Sequence, residues 1–163
     1  MAILNPTQLS AEAQAIATET TQGANTATRI GQMYQDIIDS GVYTVKVSLT
    51  SAEILQLNTT PKTLIAAPGA GKLIRPIGQV MKLNYGTTQY SGNAMITTLG
   101  GNIAFTQTSY LSNSDAYDMR MQGQFGTATD LENLPLLATV TSANPTGGDS
   151  TIDLYITYAV ISL

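Results

Sequence analysis

The sequence predicts a mainly β protein, a jelly-roll-like β-sandwich with an N-terminal α-helical segment, and three observations carry that reading. Beyond Gly41, short β-prone runs recur between explicit turn signals. Ile152, Leu154, Ile156, Tyr158 and Val160 alternate with Thr151, Asp153, Tyr155 and Thr157, giving one dry face and one mostly polar face, as a sandwich requires. Residues 5–40, by contrast, carry apolar side chains at helical spacing.

Composition bounds the rest. A chain of 163 residues holds one medium β domain plus an appendage and buries a real core. Only 11% of residues are charged and 43% are apolar, a balance that favours folded β structure over disorder. A net charge of −4 with seven scattered basic residues lacks the grouped Lys and Arg that phosphate binding needs, so no nucleic-acid partner is expected. Cysteine and histidine are both absent. That excludes disulfides and thiolate chemistry, and it removes the commonest zinc ligands and the usual general base at neutral pH. Met1-Ala2-Ile3-Leu4 leads into Asn5-Pro6 rather than a cationic run and a long apolar stretch, so no signal peptide or membrane insertion is expected and the chain reads as made in a cytosol.

Taken in order, Asn5 can cap a first helix, Pro6 suits its first position, and Leu9, Ala13, Ile16 and Ala17 recur at helical spacing. The run from Thr20 to Thr26 is poor in helix formers and predicts a break before a second helix from about Thr26 to Asp39. There Ile30, Met33 and Ile37, with Ala27 and Tyr34 beside them, form an apolar stripe about two turns long. A stripe that short cannot hold a helix alone in water and must find a partner. Strands are expected near 42–49, 63–67, 72–84, 94–99, 102–106, 136–141 and 151–161. Thr50 followed by Glu53 makes a capping box and predicts one helical turn between the first two. Residues 1–40 therefore read as a helical docking or oligomerisation segment and 42–163 as the β-sandwich module.

Motifs that could carry chemistry are few. The run from Ala66 to Leu73 superficially suggests a phosphate-binding loop, but Ala66 stands at the first glycine position and Leu73 at the metal-binding Ser or Thr. A Gly-rich hairpin is the expectation, with Lys72 on its rim and Ile74 and Ile77 returning to the core. The carboxylate pairs Asp36 and Asp39, Asp115 and Asp118, and Asp130 and Glu132 have no supporting partners and read as solvated surface, with Asp115 and Asp118 in a Ser/Asn-rich loop where a calcium ion is conceivable. Eight tyrosines dominate the aromatics. Of these, Tyr85, Tyr90, Tyr110 and Tyr117 fall in or near loops, where each either covers a core edge or contacts a ligand such as a host glycan.

Two stretches resemble known proteins. The segment from Asn25 to Ser40, centred on Arg29-Ile30-Gly31-Gln32-Met33-Tyr34, resembles one that recurs in tail-fibre and other appendage proteins of tailed phages, notably those infecting Bacteroidetes. Residues 63–74, 83–90, 144–152 and 155–158 look like a β module common in phage virion proteins. The resemblance implies a virion fibre, decoration or attachment protein, commonly a homotrimer, located in the virion and bound to other virion proteins of capsid, portal-neck or tail. It brings no enzymatic residues and no cofactor. It leaves open head against tail and which end faces the particle. On this reading Ile30, Met33, Tyr34 and Ile37 are the docking stripe. A structural subunit is the leading expectation, a receptor- or glycan-binding tip the second, and an enzyme the last.

Overall fold

The computed structural model describes residues 6–19, 23, 25–39, 41–92, 94–107, 112–121 and 131–163. Two helices, α1 (Pro6–Ala17) and α2 (Ala27–Asp39), precede strand β1 (Val42–Leu49), the single turn α3 (Ser51–Ile54) and strands β2 (Lys62–Ile65), β3 (Lys72–Asn84), β4 (Met95–Leu99), β5 (Asn102–Gln107), β6 (Ala116–Met121), β7 (Leu136–Val140) and β8 (Thr151–Ser162). The strands form two antiparallel four-stranded sheets, ordered β1-β8-β3-β6 and β2-β7-β4-β5. β1 pairs with β8, β2 with β7, β3 with β6 and β4 with β5. That nested set is one long hairpin rolled into two facing sheets, the jelly roll. The expected sandwich is therefore present.

Local chemistry accounts for the individual elements. Glu53 donates no proton here but accepts from the Thr50 amide while the Thr50 hydroxyl accepts from the Glu53 amide, the reciprocal box expected from the sequence. Gly100 and Gly101, with φ of 57° and 79°, make the two-residue turn between Leu99 and Asn102, where two successive positive φ values favour glycine. α1 and α2 are separated at the break foreseen around Thr20–Thr26, and Thr26 caps α2 by accepting from the Arg29 amide at 3.2 Å. The predicted cap Asn5 lies outside the described residues.

The core fills the space between the sheets. Ile152, Leu154 and Ile156 of β8, Leu49 of β1, Met81 and Leu83 of β3 and Met95, Leu99 and Leu136 from the other sheet are fully enclosed, and Ile54 and Leu57 close one end. β3 holds a register shift between Pro76 and Gly78. Before it Ile74 and Pro76 face the core; after it Gln79, Met81 and Leu83 do. The extra residue switches the inward parity, as a bulge does. Pro76, which has no N–H to give a ladder, lies outside the β3–β6 pairing, which among the described residues runs from Gly78 to Leu83.

Three expectations are corrected here. The Gly-rich run 68–71 is not a hairpin, because β2 and β3 lie in different sheets and the loop crosses between them. Ile77 does not return to the core; the bulge turns it to the outer surface, half-buried. Residues 116–121 are a strand, not part of a loop.

Truncating Leu154 to Ala should cost about 2–5 kcal/mol, because a side chain with no exposed surface leaves a cavity between the sheets; urea unfolding measures it. Glu53 is held at about 2 against an ordinary 4.5, chiefly by its bond to Lys62 and then by the Thr50 amide. Its folded-state value lies below the unfolded one, so its contribution is present above pH 4.5 and disappears as the pH falls toward 2. Glu53→Gln should therefore flatten the stability profile across that window in acid titrations followed by circular dichroism.

Candidate functional site

The apolar stripe of α2 is laid out as its spacing dictates. Ile30 and Met33 are half-buried, whereas Tyr34 is 60% and Ile37 44% exposed. α1 and α2 touch chiefly each other. A polar latch joins them: the Asn25 amide donates to the Ile16 carbonyl at 2.9 Å, Arg29 donates to Asn25 Oδ1 at 3.1 Å, and Arg29 lies 3.7 Å from Glu19. One α2 carboxylate departs from expectation. Asp36 is buried rather than solvated, and Gln32 one turn earlier donates to it at 2.8 Å. The side chain of Asp39 lies outside the described residues.

The tyrosines divide. Tyr90 is buried, and its hydroxyl donates to the Ser150 carbonyl at 2.6 Å; burial, then the nearby Asp149 charge, pushes its pKa up to about 12. Its ring also fills the space a Cβ would need at Gly148, whose φ is +91°. Tyr90 therefore presents no surface to a ligand. Tyr85 is half-buried and its hydroxyl donates to the Thr87 carbonyl. Tyr117 is 70% exposed, with Lys82 Nζ 6.0 Å from its ring centre. Tyr110 lies outside the described residues.

The loop carboxylates are occupied by their own chain. Asp149 accepts from the Thr87 and Thr88 amides and the Thr87 hydroxyl, and these bonds, the hydroxyl first, lower its pKa. Asp115 accepts from the Tyr85 amide at 2.8 Å. Asp118 lies not in a loop but within β6, buried, in a bidentate pair with Arg120 at 2.7 and 2.9 Å. Asp115 and Asp118 thus serve separate partners, and no group of three or more metal-ligating side chains occurs among the described residues. The glycine loop is likewise engaged, since the Gly69 and Gly71 amides donate to Asn133 and Glu132. Asp130 lies outside the described residues.

Sequence reasoning missed the outer face of the β1-β8-β3-β6 sheet. At one end Asp153 joins Lys46, Ser48 and Asn84, and these partners, Ser48 first, lower its pKa. At the other, Thr44, Ile77, Val80, Met119, Met121 and Tyr155 line a shallow groove of about 350 Å³. Met119 and Met121 are 74% and 80% exposed. The signal was the alternation of Tyr117, Met119 and Met121 with Asp118 and Arg120, a strand pattern hidden behind the polar run 112–115.

No family model matches the chain, and no curated protein does. Among solved structures it is similar to a chain described as the cyanophage Pam1 capsid asymmetric unit, at 17% identity over 72% of this chain and 82% of that one, with a TM-score of 0.44. That likeness is too slight to bring function with it.

Replacing Tyr90 by Phe should cost about 1 kcal/mol, because the buried Ser150 carbonyl loses its donor. Tyr117→Phe should change stability by less than about 0.5 kcal/mol, as for exposed sites generally. Paired denaturation curves distinguish the two.

Proposed function

We propose that this chain is a structural component of a tailed bacteriophage particle, a fibre or decoration subunit that assembles with copies of itself as a trimer and attaches to other virion proteins. The observation that carries the reading is the amphipathic helix α2, whose Tyr34 and Ile37 stay exposed on a helix too short to persist alone. Such a surface gains stability only when another chain covers it. The resemblance of residues 25–40 and of the β module to phage appendage proteins sets the biological context. The sandwich is suited to the role, since its loops close on themselves and its described carboxylates are committed to structural bonds. In this assignment Ile30, Met33, Tyr34 and Ile37 dock, and the sandwich faces outward.

A receptor- or glycan-binding tip is the second reading, supported by the exposed ring of Tyr117 beside Lys82. Saturable binding on a glycan array, lost in Tyr117→Ala, would favour it.

Light scattering after size exclusion tests the leading reading. The full chain should run at three times its monomer mass, and the double variant Ile30→Asp with Ile37→Asp should run as a monomer with an unchanged β-type dichroism spectrum. A native chain that stays monomeric at high concentration counts against self-assembly.

A further inference from the structure

We infer that the outer face of the β1-β8-β3-β6 sheet receives helix α2 of a second copy of this chain. The inference rests on the self-assembly proposed above and names the two surfaces that meet. The groove between β8, β3 and β6 is lined almost wholly by apolar atoms, with Ile77, Val80, Met119 and Met121 among its lining residues. Two adjacent methionines this exposed form an adaptable surface that moulds to a helix ridge. α2 supplies such a ridge, and within one chain both remain open, because α2 packs chiefly on α1.

Charge points to the same pairing. Residues 1–40 carry Glu12, Glu19, Asp36 and Asp39 against the single base Arg29. The outward positions of the sheet carry Lys46, Arg75 and Lys82 against Asp153, in a chain whose overall charge is −4. Setting aside the pairs Glu19–Arg29 and Lys46–Asp153 and the buried Asp36, the helical segment keeps Glu12 and Asp39 and the sheet face keeps Arg75 and Lys82, so opposite charges meet around an apolar centre, an arrangement that fixes orientation as well as contact. Because helix and groove are different surfaces, the contact is head-to-tail, and repeated around an axis it closes a ring.

The absence of cysteine makes the test clean. An Ile37→Cys chain and a differently tagged Met119→Cys chain are allowed to exchange subunits and are then mildly oxidised. A disulfide-linked heterodimer is expected, and it should be missing when Ile37→Cys is mixed instead with Ile103→Cys, an exposed position on the opposite sheet. In parallel, Met119→Glu with Met121→Glu should shift the light-scattering mass to monomer while the dichroism spectrum is kept. Linkage no greater than in the control, or linkage only within a single chain carrying both Ile37→Cys and Met119→Cys, overturns the inference. If the native chain is still trimeric in that case, self-assembly stands and only the groove is wrong; a monomeric native chain removes both.

Discussion

The pairing of β8 with β1 on one side and β3 on the other is the constraint on which the sandwich depends. Ile152, Leu154 and Ile156 have no exposed surface, and each lies opposite an inward residue of β1, Leu49, Val47 and Val45 in turn. Side chains alternate between faces, so that register dictates every residue that β1 shows to the core and every residue it shows to the outside. On the β3 side the same rule holds only because the bulge at Pro76–Gly78 resets the parity partway along a 13-residue strand. The outer groove is a by-product of this reset. It turns Ile77 outward and brings Val80 beside Tyr155 and Met119.

The outer face is thus chemically divided. Lys46, Ser48, Asn84 and Asp153 satisfy one another at one end, beside the exposed ring of Tyr117 and Lys82. The methionine end satisfies no such condition. Water is poorly displaced there by the chain's own side chains, and an incoming apolar partner gains from the exposed area of Met119 and Met121 in a way it would not beside Asp153. The helical segment has the matching imbalance, with Tyr34 and Ile37 uncovered.

Strong alternation was readable at sight. β8 and β1, the capping box at Thr50 and Glu53, and the break between the helices all follow from local chemistry that one sequence displays. What stayed hidden was set by tertiary pairing. β6 begins directly after a polar run and carries Asp118 and Arg120, whose charges mask its alternation; their mutual ion pair helps the strand hold them at the sheet edge. Ile77 was assigned inward because a bulge leaves no mark on apolar spacing. Tyr90 does lie in the loop between β3 and β4, but its burial was hidden, because Gly148 is what makes room for its ring in the interior. Of the candidate surfaces, the α2 stripe was legible from its spacing, while the groove required knowing which strands lie side by side.

The nested order of the strand pairs also sets how this chain must find its fold. Among the described strands only β4 and β5 are joined by a two-residue turn; the pairs β3–β6, β2–β7 and β1–β8 enclose that hairpin successively, each spanning more of the chain than the last. Closing each wider loop costs further chain entropy before its contacts are gained. Chain entropy alone therefore ranks the closures outward from Gly100–Gly101, with the β1–β8 pairing the costliest to close. All-β topologies of this kind fold in roughly milliseconds to seconds, and until β1 and β8 meet, the apolar faces of both sheets stay open to other nascent copies. Exposed apolar sheet faces in incompletely folded chains favour aggregation, so this closure is also the step at which the chain is most vulnerable.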